Sequence, residues 1–135
     1  FSNKKGIKAF TAIHFGCLNG HTEIVKLLIK VGGDPNEQTN NGFTGLSIGC
    51  IMGNVDIVEL LLDFDIDMNK ATKSGRTPIF IASLKGHIKI VKLLIDSGAD
   101  FNIVDKQGNT PLIIAFTKGH TEIAKMLMEA DQLSA

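Results

Sequence analysis

Net charge is the first thing this chain lacks: fourteen Lys and Arg stand against fourteen Asp and Glu. That removes the usual electrostatic case for nucleic-acid binding, which rests on an excess of cations. Long apolar runs are absent too. No stretch approaches the ~20 residues of a membrane helix, so no membrane insertion is expected. The opening segment FSNKKGIKAF has positive charge but no apolar core or small-residue cleavage site, and it reads as no signal peptide. Phe1 suggests a piece of a longer chain. No Asn-x-Ser/Thr acceptor occurs, and cysteine is scarce, with only Cys17 and Cys50. These two are 33 residues apart, in the same phase of a repeat described below. Packed helices lie roughly 8–10 Å apart, whereas disulfide Cα atoms need to be within about 7 Å. The expectation is two buried thiols in a reducing compartment, cytoplasmic or nuclear.

Catalytic constellations are missing as well. There is no nucleophile elbow and no phosphate-binding Gly-rich loop. Four His and two Cys raise the question of zinc, but His21, His87 and His120 share one repeat phase and so spread along the chain. Zinc needs ligands converging at ~2.0–2.3 Å on one point. No enzyme activity, metal or cofactor is expected.

What is present is a ruler. Thr11, Thr44, Thr77 and Thr110 stand 33 residues apart, each followed nine residues later by Gly20, Gly53, Gly86 or Gly119. A period of this length signals a small unit that cannot bury its own apolar face and stacks on its copies. Each Thr suits a helix N-cap, with Pro78 and Pro111 at the first helical position, and each Gly suits a left-handed C-cap. A second helix follows with apolar residues at helical spacing: Ile24, Leu27, Leu28; Ile57, Leu60, Leu61; Ile90, Leu93, Leu94; Ile123, Met126, Leu127. Turn-rich segments with Gly42, Gly75 and Gly108 separate the units, as in an extended hairpin. Summed over successive blocks of one period, charge alternates as +4, −6, +4 and −2. Lys26, Glu59 and Lys92 share one phase and alternate in sign, which suggests charge pairing between neighbours.

With this grammar the chain resembles the ankyrin-repeat family. Thr77-Pro78, Thr110-Pro111, His14, Gly20-His21, Gly86-His87 and Gly119-His120 match its motifs, as do Ile24-Val25, Ile57-Val58, Ile90-Val91 and Gly98-Ala99-Asp100 with Asn102. The resemblance implies an all-α solenoid of four stacked helix-turn-helix units with short β-hairpin or turn tips. It also implies one domain over 1–135, with repeats at approximately 7–38, 40–71, 73–104 and 106–132. Some residues depart from the pattern. Ala12 and Gly45 replace proline, so those helix starts should be looser. Asp65-Ile66-Asp67 replaces the loop glycine, so the second unit should be the weakest. After Met128 the pattern dissolves.

The family presents its turn tips and first helices to partners along a concave face. Repeat phase then selects Phe10, Phe43 and Arg76 at the tips, and Leu18, Ile51, Met52, Leu84 and Lys85 at the ends of first helices. Lys73 joins the tips, and Lys106 and Lys118 extend the cationic rim. Apolar residues where solvated polar ones belong, rimmed by cations, have the composition of an interface. The expected function is a non-catalytic, monomeric scaffold for a protein partner. The alternative is a regulatory or tethering segment of a larger enzyme, channel or ubiquitin-ligase adaptor, or an inhibitor of a partner enzyme. The resemblance also makes Asn36, Asn69 and Asn102 candidates for asparaginyl hydroxylation, each with a Leu eight residues before it (Leu28, Leu61, Leu94).

Overall fold

The structure, a computed structural model, describes residues 10–134, the side chain of Ser134 excepted. The expected start of the first repeat at residue 7 therefore lies partly outside the described residues. Eight helices follow in pairs: α1 (Ala12–Asn19) and α2 (Thr22–Lys30), α3 (Gly45–Met52) and α4 (Val55–Leu62), α5 (Pro78–Lys85) and α6 (Ile88–Asp96), α7 (Pro111–Lys118) and α8 (Thr121–Ser134). The first helices pack in a row, α1 on α3 on α5 on α7, and the second helices form a parallel row behind them. Among the described residues each pair packs against its neighbours in the row, which is the stacked all-α solenoid that the period predicts.

Local chemistry explains where the helices begin. Thr11, Thr44, Thr77 and Thr110 are extended residues whose hydroxyls accept the N–H three residues on. Pro78 and Pro111 sit at the first turn of α5 and α7. The two starts without proline are not left open. Thr11 N–H donates to His14 Nδ1 at 2.9 Å and Thr44 N–H donates to Ser47 Oγ at 2.7 Å. These reciprocal capping boxes satisfy a second end group at each start. Phe80 and Ile113 hold the same position in the proline-led helices and have no atom that could do so.

At the far end of each first helix, glycine is needed twice over. Gly53 has φ 68°, and a Cβ built on it would lie 2.6 Å from the His87 ring of the next unit. The same arrangement puts His120 over Gly86 and Asn54 over Gly20. Nothing covers Gly119, where the described stack stops. His120 Nε2–H also donates to Leu84 O at 3.1 Å. His87 and His120 are thus braces between units, a role that His21, in the first pair, does not share among the described residues.

Other details differ from expectation. Among the described residues no non-glycine has positive φ, so Asp65 does not replace the glycine's left-handed turn. Instead α4 ends early, with Asp63 and Phe64 N–H donating to the carbonyls of Leu60 and Leu61. Helix α8 runs on through the segment where the motif dissolves, because no Gly or Pro stops it and Glu, Ala and Leu favour helix. No strand occurs among the described residues. Each tip closes with two main-chain bonds confined to its turn, such as Thr72 N–H to Arg76 O at 3.0 Å and Gly75 N–H to Thr72 O at 2.8 Å, and no ladder extends from them. The tips are joined instead to one another: Lys73 N–H donates to Asn41 O and Lys106 N–H to Ser74 O. Lys92 reaches Asp96 along its own helix at 3.2 Å, and the ion pair that joins neighbouring units is that of Arg76 with Asp105 at 3.7 Å.

The core is a continuous apolar sheet of side chains between the two rows, with Cys17 and Cys50 both free and buried within it. Burial pushes the Cys17 thiol up to about 12 and raises Cys50 further. What a residue contributes depends on its place in the stack. Ile57, Ile90 and Ile123 are fully buried, yet Ile24 in the same phase is 52% exposed, because α2 has no described unit before it. At the other end Phe116 is 62% exposed, where Cys17, Cys50 and Ser83 in its phase are buried. We predict that Ile90→Ala lowers unfolding free energy by about 2–5 kcal/mol and Ile24→Ala by about 1 kcal/mol or less. Urea denaturation of the two variants checks this; equal costs would contradict stacking as the source of stability.

Candidate functional site

The face made by the tips and the first helices is concave between its units. Between the second and third units lies a groove of about 210 Å³ lined by Phe43, Ile51, Thr72, Ser74, Arg76, Ile81, Leu84 and Lys85. Repeat position explains its walls. Phe43 and Arg76 occupy equivalent places on neighbouring tips, and Ile51 and Leu84 equivalent places near the ends of α3 and α5. Leu84 and Lys85 lie one turn beyond Ile81 on α5, so the three share a side of that helix. Ile81 is buried and supplies the floor, whereas Lys85 is exposed at the edge.

Arg76 is held in place from below. Its guanidinium lies 3.7 Å from Asp105 Oδ2 and 5.3 Å from the centre of the Phe80 ring. Asp105 is itself buried, and its Oδ1 accepts the N–H groups of Gln107 and Asn109 at 3.0 and 2.9 Å. The carboxylate therefore shapes its own tip and anchors the arginine of the tip before it. It is the buried Nε of Arg76 that faces this carboxylate, at a distance beyond a hydrogen bond.

Of the nine residues selected by phase, five converge on this groove: Phe43, Ile51, Arg76, Leu84 and Lys85. Leu18 and Met52 line a separate, shallower depression with Asn19, Gly53 and Asn54, between the first and second units. Phe10 packs edge-on against His14 and beside Phe15, with ring centres 5.6 and 5.2 Å apart. Lys73 is exposed on its tip, beside a hollow shared with Gln38 and Asn40. Ile81, Thr72 and Ser74 were missed. Ile81 could have been found from its spacing to Leu84 and Lys85.

The loop asparagines have structural partners of their own. Asn36 Oδ1 accepts Asp67 N–H at 2.8 Å and Asn69 Oδ1 accepts Asp100 N–H at 3.0 Å, each across a unit boundary. Asn102 is the last of the series, exposed and without that bond. Among the described residues no cluster of three or more His, Cys, Asp or Glu is placed to hold a metal ion. No described helix is long and apolar enough to cross a membrane.

Comparison with known families agrees with this architecture. The family model described as ankyrin repeats (3 copies) matches residues 2–72 and again residues 64–134. The chain belongs to the ankyrin-repeat family, whose repeats generally serve as modules of protein–protein interaction and are typically non-catalytic. No curated protein matches the chain.

His14, the one first-motif histidine, is buried and fully used. Nδ1 accepts Thr11 N–H, and Nε2–H donates to Glu37 O at 2.8 Å. Both bonds suit the neutral ring, and burial lowers its pKa below 6.5, against a smaller opposing pull from Glu37. The unfolded chain keeps an ordinary histidine. As pH falls below ~6.5 the unfolded chain binds the proton first, so stability is full above that value and drains away below it. We predict that His14→Ser melts lower than wild type near pH ~7.5 but loses less on going to pH ~5.5. Parallel melting profiles for the two proteins would contradict this account.

Proposed function

We propose that the chain is a non-catalytic scaffold, working as a single monomeric domain, that holds a protein partner on the face of its tips and first helices. The partner's principal anchor enters the groove between the second and third units. The observation that carries this reading is the groove itself. Phe43, Ile51 and Leu84 offer apolar surface to solvent beside Arg76 and Lys85, which is the composition of an interface centre and its rim. A shallow groove with an apolar floor suits one side chain of a protein segment better than a small substrate, which pockets bury almost completely. Lys73, Lys106 and Lys118 extend the rim along the same face. Leu18 and Met52 would take a second, peripheral contact.

Affinity capture from lysate followed by mass spectrometry tests the assignment when three baits are compared. A protein held by wild type and by Glu59→Lys on the opposite row should be lost or reduced with Lys85→Glu, at unchanged melting temperature. Arg76→Ala should weaken the purified complex by about 1–2 kcal/mol. Equal retention by all three baits would rule out this face.

A further inference from the structure

The neutral charge of the whole chain hides a separation of sign. Five cations lie on the tips and first helices: Lys73, Arg76, Lys85, Lys106 and Lys118. Of fourteen carboxylates in the chain, only Asp105 is on these segments, and it is buried. The remaining acids lie on the second helices and on the loops that leave them, among them Glu23, Asp56, Glu59, Asp63 and Glu122. Asp105, which also accepts two N–H groups of its own tip, faces Arg76 and offsets that one charge, which leaves the four exposed lysines in excess. The face that carries the groove is therefore net cationic, and the opposite row, where thirteen acids outnumber Lys26, Lys30, Lys70, Lys89, Lys92 and Lys125, is net acidic.

Three features of the groove then select what enters it. Its floor is apolar, formed by Ile81 with Phe43, Ile51 and Leu84. Its edge holds Lys85 free in solvent. Its wall holds Arg76, stacked on the Phe80 ring with its Nε turned inward to Asp105 and about a third of its side chain (34%) open to solvent. A planar guanidinium with part of its side chain in solvent is best matched by a carboxylate, and a fixed arginine gives up less freedom in binding one. Resting on the reading above, we propose that the occupant is an acidic protein segment that seats an aliphatic or aromatic side chain on Ile81 and Leu84 and sets a carboxylate against Arg76. Further carboxylates on the segment follow Lys73 and Lys106 along the tips, or Lys118 along the helix ends. Phosphates of a nucleic acid would meet the cations but leave the apolar floor unused, so a peptide fits the groove better.

Panning a random peptide library displayed on phage against the intact chain tests this directly. The expected winners pair Leu, Ile or Phe with a neighbouring Asp or Glu. As synthetic peptides they lose about tenfold in affinity when each acid becomes its amide, and they weaken as salt shortens the range of the charges. Lys85→Glu and Lys73→Glu, both at exposed positions, should each weaken them, and Leu84→Ser should do so without a change in salt dependence. Winners without acidic residues that still depend on Leu84 would overturn the acidic preference and leave the groove as the docking site. Winners indifferent to Leu84 and Lys85, or no winners at all, would overturn both. A poly-dT oligonucleotide that displaces the peptides and binds independently of Leu84 would replace this proposal with nucleic-acid binding.

Discussion

No helix pair in this chain can hide its own apolar side, and every other feature answers to that. Ile57, Ile90 and Ile123 are buried because a preceding pair lies against them; Ile24, chemically the same and in the same phase, is left half in water. Burial of such a side chain is worth about 1.5–3 kcal/mol. The favourable term is thus located between units, and it is collected only when neighbours are present. Order in the stack follows from contact rather than from the preference of any one helix of eight or nine residues, which would be marginal alone.

Polar groups hold the units in register around that contact. The Asn side chains at 36 and 69 reach the backbone of the following loop, and adjacent tips share main-chain bonds at Lys73 and Lys106. His87 and His120 lie over glycines of the unit before, leaving no space there for a side chain. Each bond is worth only about 0.5–1.5 kcal/mol net. Their regular recurrence nevertheless fixes how far one unit turns on the next, and so where Phe43 faces Arg76 across the groove.

Much of this was legible because it is local chemistry repeated. Thr before Pro, a Gly nine residues later and a pair of leucines each prescribe a cap, a stop or a buried side, and four copies make the reading secure. The end of α4 was not legible, since Asp65 could either adopt a strained left-handed turn or let the helix finish sooner, and the cheaper route won. The continuation of α8 was missed because loss of a motif is not loss of helix propensity. The groove was half legible. Phase lines residues up along the stack, but it does not say what fills the space between two tips, where Phe43 meets Arg76 in one gap and Phe10 turns to His14 and Phe15 in another. The exposure of Phe15, Ile24 and Phe116 depends on which units lie beside them, and no single repeat records that.

Since neighbours supply the stability, protection should be greatest where a unit has two of them. Amide hydrogen exchange measured residue by residue reads this without any substitution. The account gives the slowest exchange to α3 through α6 and progressively faster exchange towards α1 and α2 on one side and α7 and α8 on the other. The second unit is included because α4 ends early without strain and Ile57, Val58 and Leu61 stay fully buried. Uniform protection along the chain, or slowest exchange in α1 or α8, would contradict it.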